Sequence, residues 1–311
     1  MKNLANKSKW LIIIFLLFIT LSCNGQNEIK EGAKLQETTI HSDESNNTQD
    51  CYDTNNDLFK VSIKESHNKK RSICLTIDEE INLCNDNLLY ADGELGAISS
   101  DGENISIDCS KGKVNIVQEY GGGSSLGAYS FEIKATKQPI IDSISMSEKV
   151  FLDEEVKVIS KGVRVNIPFN NNSDLTDEFE SLAQALFTDK NKLLVNYIED
   201  KSKDANYEWS IESINLLEYL LIDKGNLERV NNIAFQLEQT QKFDEAIILL
   251  EKIIDEDPNR VVAYLNIADA YWSINSQNKA KKAYHKYVEL MEKQNKDINK
   301  IPKRVYQRLD K

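Results

Sequence analysis

Residues 243–272 read FDEAIILLEKIIDEDPNRVVAYLNIADAYW, and both halves of this stretch have the apolar spacing of an α-helix. Pro258 stands between the two halves. Because proline lacks a backbone N–H and cannot sit in a helix interior, it divides the stretch into two helices joined by a short turn. The segment therefore predicts a pair of packed helices in the C-terminal part of the chain.

The same pattern occurs a second time along the chain. The residues from 227 onward align with those from 261 onward at an offset of 34 residues. Small residues recur where two helices would touch, large ones fill the spaces between them, and a proline closes the first unit. The matched pairs are Ile233 and Ile267, Ala234 and Ala268, Leu237 and Tyr271, Ala246 and Ala280, Leu250 and Tyr284, and Ile253 and Tyr287. This pattern resembles the tetratricopeptide repeat (TPR).

The resemblance implies one repeat over residues 227–260 and a second over residues 261–294. The second unit has Glu292 where the closing proline would stand, so its last helix is expected to run on to about residue 293. A capping helix is expected within residues 295–311, beginning near Pro302.

Residues 171–226 also have a helical period, and Asp174 or Thr176 can cap the first helix there. Because about three repeats are needed for a stable array, this segment is expected to form a helical connector that stacks on the first repeat. The third of its helices is expected to stop at Gly225. The apolar stripes of the three helices are Leu175, Phe179, Leu182, Ala183 and Leu186; Leu193, Leu194, Tyr197 and Ile198; and Ile211, Ile214, Leu217 and Leu221.

Members of the repeat family are generally non-catalytic scaffolds that bind peptides or protein segments in a groove lined by the first helix of each repeat. The resemblance therefore implies a protein partner and no enzymatic activity. The chaperone-binding subfamily holds a C-terminal carboxylate with lysines, an arginine and asparagines. Here those lysines are absent, which excludes that ligand. The implied groove residues are Asn231, Phe235, Glu238, Leu265, Asp269 and Trp272.

Residues 51–170 have a period of two instead. Phe59, Val61 and Ile63 alternate with polar residues, and Tyr129, Phe131 and Ile133 do the same. Turn sequences such as ADGELG and YGGGSSLG separate these runs. The pattern predicts an antiparallel β meander, folded as a sandwich or a small barrel. The fold class is therefore α+β, with a β domain followed by an all-α solenoid.

Four cysteines lie in the β region, namely Cys51, Cys74, Cys84 and Cys109. In an exported chain an even number of cysteines indicates disulfides, and four cysteines allow three connectivities. The stretch CLTIDEEINLC can fold as a hairpin that sets Cys74 opposite Cys84, which favours Cys74–Cys84 with Cys51–Cys109. The other two pairings stay open. No spacing typical of a zinc site is present, and neither a metal nor a cofactor is expected.

The N-terminus carries an export signal. Lys2, Lys7 and Lys9 precede an apolar run over residues 10–21, which is too short to span a bilayer. The following TLSC motif resembles the lipobox of bacterial lipoproteins, which implies lipidation at Cys23 after removal of residues 1–22. Thr20 departs from the usual aliphatic residue, so secretion with cleavage nearby is the alternative.

Residues 23–50 are polar and are expected to be a disordered tether. The implied location is the bacterial cell envelope, at the outer membrane if the cell has two.

Three motifs of the β region could suggest a chemical site. GSSLG at residues 123–127 matches the nucleophile elbow, with Ser125 as nucleophile, but that motif needs a helix after it and a downstream histidine. The only later histidine is His285. DTNND at residues 53–57 begins like a calcium loop but lacks its glycine and its closing glutamate. GGGSSLG lacks the lysine of a phosphate loop.

The distribution of charge along the chain indicates which class of partner is disfavoured. Residues 23–226 carry 20 basic and 37 acidic residues, net −17, which disfavours nucleic acid. Residues 274–311 carry 11 basic and 4 acidic residues, net +7. The leading hypothesis is an envelope lipoprotein that acts as an adaptor through its groove. The alternative is an immunity-like protein that sequesters a basic toxin or effector at the membrane, and a hydrolase using Ser125 comes third.

Overall fold

The structure, a computed structural model, describes residues 47–52, 58–65, 71–77, 81–89, 105–110, 112–122, 125–153 and 155–310. Antiparallel strands make up the first part and helices the second, which confirms the α+β, two-part architecture. Several predictions lie outside the described residues: the signal peptide, lipidation at Cys23, the tether as far as residue 46, and the DTNND motif at residues 53–57.

The strands form two sheets in which each strand pairs with the next along the chain. The first sheet contains β1 (Asn47–Tyr52), β2 (Leu58–Glu65), β3 (Arg71–Ile77) and β4 (Ile81–Asn85). The second contains β5 (Ile105–Ser110), β6 (Lys113–Gly122), β7 (Ser125–Lys134), β8 (Ile140–Leu152) and β9 (Glu155–Pro168). The predicted meander is thus present, and it starts at Asn47, inside the segment predicted as tether.

Both sheets contribute to one hydrophobic core. Phe59, Val61 and Ile73 of the first sheet lie in the same buried cluster as Phe131 and Ile133 of the second. The alternation expected for β7 is present, because Tyr129, Phe131 and Ile133 are buried while the residues between them are more exposed. In β2 it holds for Phe59 and Val61, but Ser62 is also buried and Ile63 is half-buried. The β part is therefore organised around two sheets that share a core, as in a sandwich.

Two disulfides hold the β part together. Cys51–Cys109 joins β1 to β5 and so connects the two sheets, with the Cα atoms 5.5 Å apart. Cys74 and Cys84 are directly opposite in the β3–β4 ladder, with a Cα separation of 4.0 Å. The structure thus brings the cysteines together in the pairing that the hairpin argument favoured.

Seven α-helices follow. They are α1 (Thr176–Ser202), α2 (Ile211–Tyr219), α3 (Leu227–Gln239), α4 (Phe243–Glu256), α5 (Val261–Ser273), α6 (Gln277–Lys293) and α7 (Lys303–Leu309). The long helix α6 and the capping helix that begins after Pro302 lie where the repeat resemblance placed them.

Two details of the connector differ from the prediction. The first two predicted helices are one continuous helix, α1, of 27 residues. The third helix, α2, ends at Tyr219 and not at Gly225. The side chain of Asn191 accepts from the backbone N–H of Leu221 and donates to its carbonyl, both at 2.9 Å. This pair of bonds replaces the helical partners of Leu221 and turns the chain out of the helix.

The motif GSSLG has a structural explanation at its last glycine. Gly127 lies opposite Tyr120 in the β6–β7 ladder, and the tyrosine ring covers it. A Cβ atom at Gly127 would lie 2.3 Å from Tyr120 Cζ and 2.6 Å from the carbonyl oxygen of Ser147. Only glycine therefore fits beneath the ring.

Gly127→Ala should destabilise the protein by about 1–3 kcal/mol, because the added methyl group displaces Tyr120 or the β8 backbone. The measurement is chemical denaturation of both proteins. Gly162→Ala is the matched control, since the nearest atoms to its added Cβ are 3.3 Å away and a small shift relieves the contact. Equal effects of the two variants would contradict the role assigned to Tyr120.

The two disulfides should differ in their contribution to stability. Their sequence separations are 58 and 10 residues, so loop closure predicts about 4 kcal/mol for Cys51–Cys109 and about 3 kcal/mol for Cys74–Cys84. Serine pairs at each bridge, compared by thermal melting, should lower the β-part transition in that order. Mass spectrometry that finds four free thiols in the non-reduced protein would overturn this expectation.

Candidate partner-binding groove

The helix pairs α3–α4 and α5–α6 are two copies of one unit. Each pair is joined by a turn with one residue in the left-handed region, Gln241 at φ 64° and Asn275 at φ 61°. The same backbone hydrogen bond closes both turns, from Lys242 N–H to the Leu237 carbonyl and from Ser276 N–H to the Tyr271 carbonyl, each 2.8 Å. These residues are 34 apart, as the sequence repeat requires.

The buried positions repeat as well. The four alanines predicted at helix contacts have no exposed surface. The large residues that recur at the other repeated positions are buried in the helical core. The alanines are Ala234, Ala246, Ala268 and Ala280. The sequence pattern therefore identified the residues that pack the two units, and the remaining face of α3 and α5 is the candidate groove.

On α3, the three predicted groove residues share one helical face because they are spaced by four and then three residues. Phe235 has 48% of its surface exposed, although it is a large apolar side chain. Asn231 is buried, with 5% exposed, and Glu238 is half-buried. Of these three residues, Phe235 is the most available to a partner.

On α5, Leu265 and Trp272 are half-buried and Asp269 is only 6% exposed. Val262 belongs to the same face, one turn before Leu265, and is 41% exposed. Val262 was not among the predicted groove residues. Its position as the second residue of the first helix in its repeat, equivalent to Glu228, was the signal that could have identified it.

Asp269 is not available to a partner, contrary to the groove prediction. Its carboxylate accepts a hydrogen bond of 2.6 Å from Arg304 and further bonds from Arg308 and from the hydroxyl of Tyr284. Both arginines belong to the capping helix α7. They lie 35 and 39 residues further along the chain, which is why local sequence patterns did not connect them to Asp269.

Trp272 is also engaged by the capping helix. The guanidinium of Arg308 lies 5.1 Å from the centre of the indole ring, and the ring packs against the helical core. The capping helix therefore covers the end of the groove formed by Asp269 and Trp272. The rest of the groove is the docking face, which we define as Asn231, Phe235, Glu238, Val262 and Leu265. Phe235 and Val262 are its exposed members, Glu238 and Leu265 are half-buried, and Asn231 is buried.

The carboxyl group of Glu238 has an unusual environment. Burial raises its pKa to about 7, and the neighbouring charge of Asp269 contributes in the same direction. The positive charges of Arg304 and Arg308 act in the opposite direction.

Ser125 does not occupy a nucleophile elbow. It is the first residue of β7 and pairs with Gly122 of β6, so a strand and not a helix follows it. His285 is exposed on α6, in the other part of the molecule.

No three His, Cys, Asp or Glu side chains of the described residues converge as metal ligands. None of the helices described is long and apolar enough to cross a membrane.

Comparison with known proteins agrees with the repeat geometry. Residues 261–293 match the tetratricopeptide repeat family. The match covers α5 and α6, and the pair α3–α4 has the same turn and the same buried positions. No curated protein matches the chain. Because such repeats generally bind protein partners, the docking face is a candidate protein-interaction site.

Asp269→Asn should weaken the attachment of the capping helix by about 2–4 kcal/mol, because two arginines lose their anionic acceptor in a partly buried site. Thermal melting of the full chain measures the effect. Glu289→Gln is the control, since Glu289 forms an exposed pair with Lys286 and such pairs contribute less than about 1 kcal/mol. An unchanged melting temperature for Asp269→Asn would show that the cluster does not hold α7.

Proposed function

We propose that the helical half is a protein-binding module of a bacterial envelope lipoprotein, and that the docking face receives the partner. The observation that carries this proposal is the exposure of Phe235 and Val262 on the first helices of two consecutive repeats. Large apolar side chains placed together on a surface mark interaction sites, and aromatic residues are frequent among those that dominate binding.

The N-terminal sequence supports an anchored location. The basic residues, the short apolar run and the TLSC motif that ends in Cys23 resemble a lipoprotein signal. Two disulfides in the β part are consistent with an oxidising compartment. A lipid at Cys23 would keep the docking face near the membrane and restrict it to envelope partners.

Two aromatic substitutions separate binding from folding. Phe235→Ala should abolish partner capture and leave the melting temperature nearly unchanged, because the side chain is half exposed. Trp272→Ala should destabilise the fold by about 2 kcal/mol or more, because the indole packs on the core beneath Arg308. Affinity capture from detergent-solubilised membranes, together with melting curves, measures both effects.

The captured proteins also distinguish two roles. A resident envelope assembly lost in Phe235→Ala indicates an adaptor, whereas a single basic effector indicates the sequestering alternative. If Phe235→Ala captures the same proteins as the unaltered chain, the docking face is not the binding site.

Lipidation of Cys23 is tested by Cys23→Ala. The variant should carry no lipid and should accumulate as the precursor that retains residues 1–22, because the lipid-bearing thiol is absent. Mass spectrometry of the N-terminus measures both effects. Removal of residues 1–22 from the variant, as from the unaltered protein, would contradict the anchoring proposal.

A further inference from the structure

Two hydrogen-bond acceptors on the docking face have no partner among the described residues. The side-chain oxygen Oδ1 of Asn231 is fully buried and accepts no hydrogen bond. The carboxylate of Glu238 is half-buried, and no described side chain or backbone group donates to it. A buried polar atom without a partner is costly, which applies to the Asn231 oxygen. The half-buried carboxylate of Glu238 is open to a ligand that supplies donors.

The two acceptors lie on either side of an exposed aromatic ring. Asn231, Phe235 and Glu238 are spaced by four and three residues along α3, which places them on one face of the helix. A ligand bound to this face can therefore contact both Phe235 and Glu238. The ligand group must combine several N–H donors, positive charge and a flat surface that stacks on a phenyl ring.

The guanidinium group of arginine has these three properties. It carries five N–H donors in a plane, it stays charged, and it stacks on aromatic faces. Carboxylates are disfavoured as ligands, because they would face Glu238 with like charge. The arginines of the capping helix are not available for this role, since Arg304 and Arg308 are bonded to Asp269.

We propose that the docking face selects a protein segment that carries an arginine. The guanidinium lies on Phe235 and donates to the carboxylate of Glu238, while an apolar neighbour in the segment packs on Val262 and Leu265. Asn231 supplies a second acceptor on the same face when its amide turns outward. This inference rests on the proposed function and specifies the chemistry of the partner.

The contact with Glu238 should depend on pH. Below a pKa of about 7 the carboxyl group of the free protein is neutral and attracts a cation weakly. Above that pKa it is ionised, so binding of an arginine segment should strengthen as the pH rises through 7. The other charged groups that act on Glu238 are Asp269, Arg304 and Arg308.

Four fluorescent peptides test the proposal with the full chain in detergent micelles. They are acetylated and amidated at their ends, contain two leucines, and differ at one position that is Arg, Lys, Gln or Glu. In anisotropy titrations at pH 8 the Arg peptide should bind about tenfold more tightly than the Gln and Glu peptides, as expected for a charge-assisted hydrogen bond. Phe235→Ala should abolish the binding of all four peptides.

Two substitutions give the matched comparison. Glu238→Gln should remove both the preference for arginine and the increase in affinity between pH 6 and pH 8. Glu256→Gln, at an exposed position at the end of α4 and outside the docking face, should leave both unchanged. Because Glu238→Gln replaces a half-buried carboxylate with a neutral amide, the fold should be retained, and its melting curve checks this.

Other results of the titrations would contradict the arginine preference, the role of Glu238 or the docking face itself. Equal affinity for the Arg and Gln peptides, with loss of both in Phe235→Ala, would overturn the arginine preference and leave the docking face in place. An arginine preference that persists in Glu238→Gln would overturn the assignment of Glu238. Binding of none of the four peptides would contradict the docking face and the inference together.

Discussion

One helix determines how the two halves of this protein are joined. α1 has 27 residues and is therefore roughly 40 Å long. Leu182 and Leu186, in its first half, are buried in the core of the two sheets, whereas Leu194 and Ile198, in its second half, belong to the helical core. Because a continuous helix fixes the spacing between these side chains, the sheets and the repeats cannot move apart without exposing one set of them.

Polar contacts reinforce the same junction. Lys190 of α1 forms an ion pair with Glu148 of β8, and neither side chain is freely exposed. Asp153, in the turn between β8 and β9, accepts hydrogen bonds of 2.7 Å from Tyr207 and 2.9 Å from Ser210, which lie between α1 and α2. The sheet therefore acts as the support on which the first helices of the solenoid are built, and it takes the place of a further repeat.

At the opposite end of the solenoid, ion pairs attach the capping helix α7. Asp269 is the acceptor for two arginines of α7, and this arrangement both attaches the short helix and removes Asp269 and Trp272 from the groove. The docking face is what remains between the sheet-supported end and the capped end. This face departs from an ordinary protein surface, since a phenyl ring is exposed and two hydrogen-bond acceptors have no partner among the described residues. Such local conflicts are expected where a protein binds something else.

Periodicity by itself determined the fold class, the two repeat units, the alternating faces of β7 and the favoured cysteine pairing, because these depend on the spacing of residues close in sequence. The placement of Phe235 in the groove came from the resemblance to the repeat family, and its side chain is exposed in the structure. The single helix α1, the early end of α2 and the loss of Asp269 to the capping helix depended on contacts between distant residues. Asn191 reaches Leu221, and Arg304 reaches Asp269, only after the chain has folded. The accessible groove was therefore decided by tertiary structure, because a side chain's availability depends on what covers it.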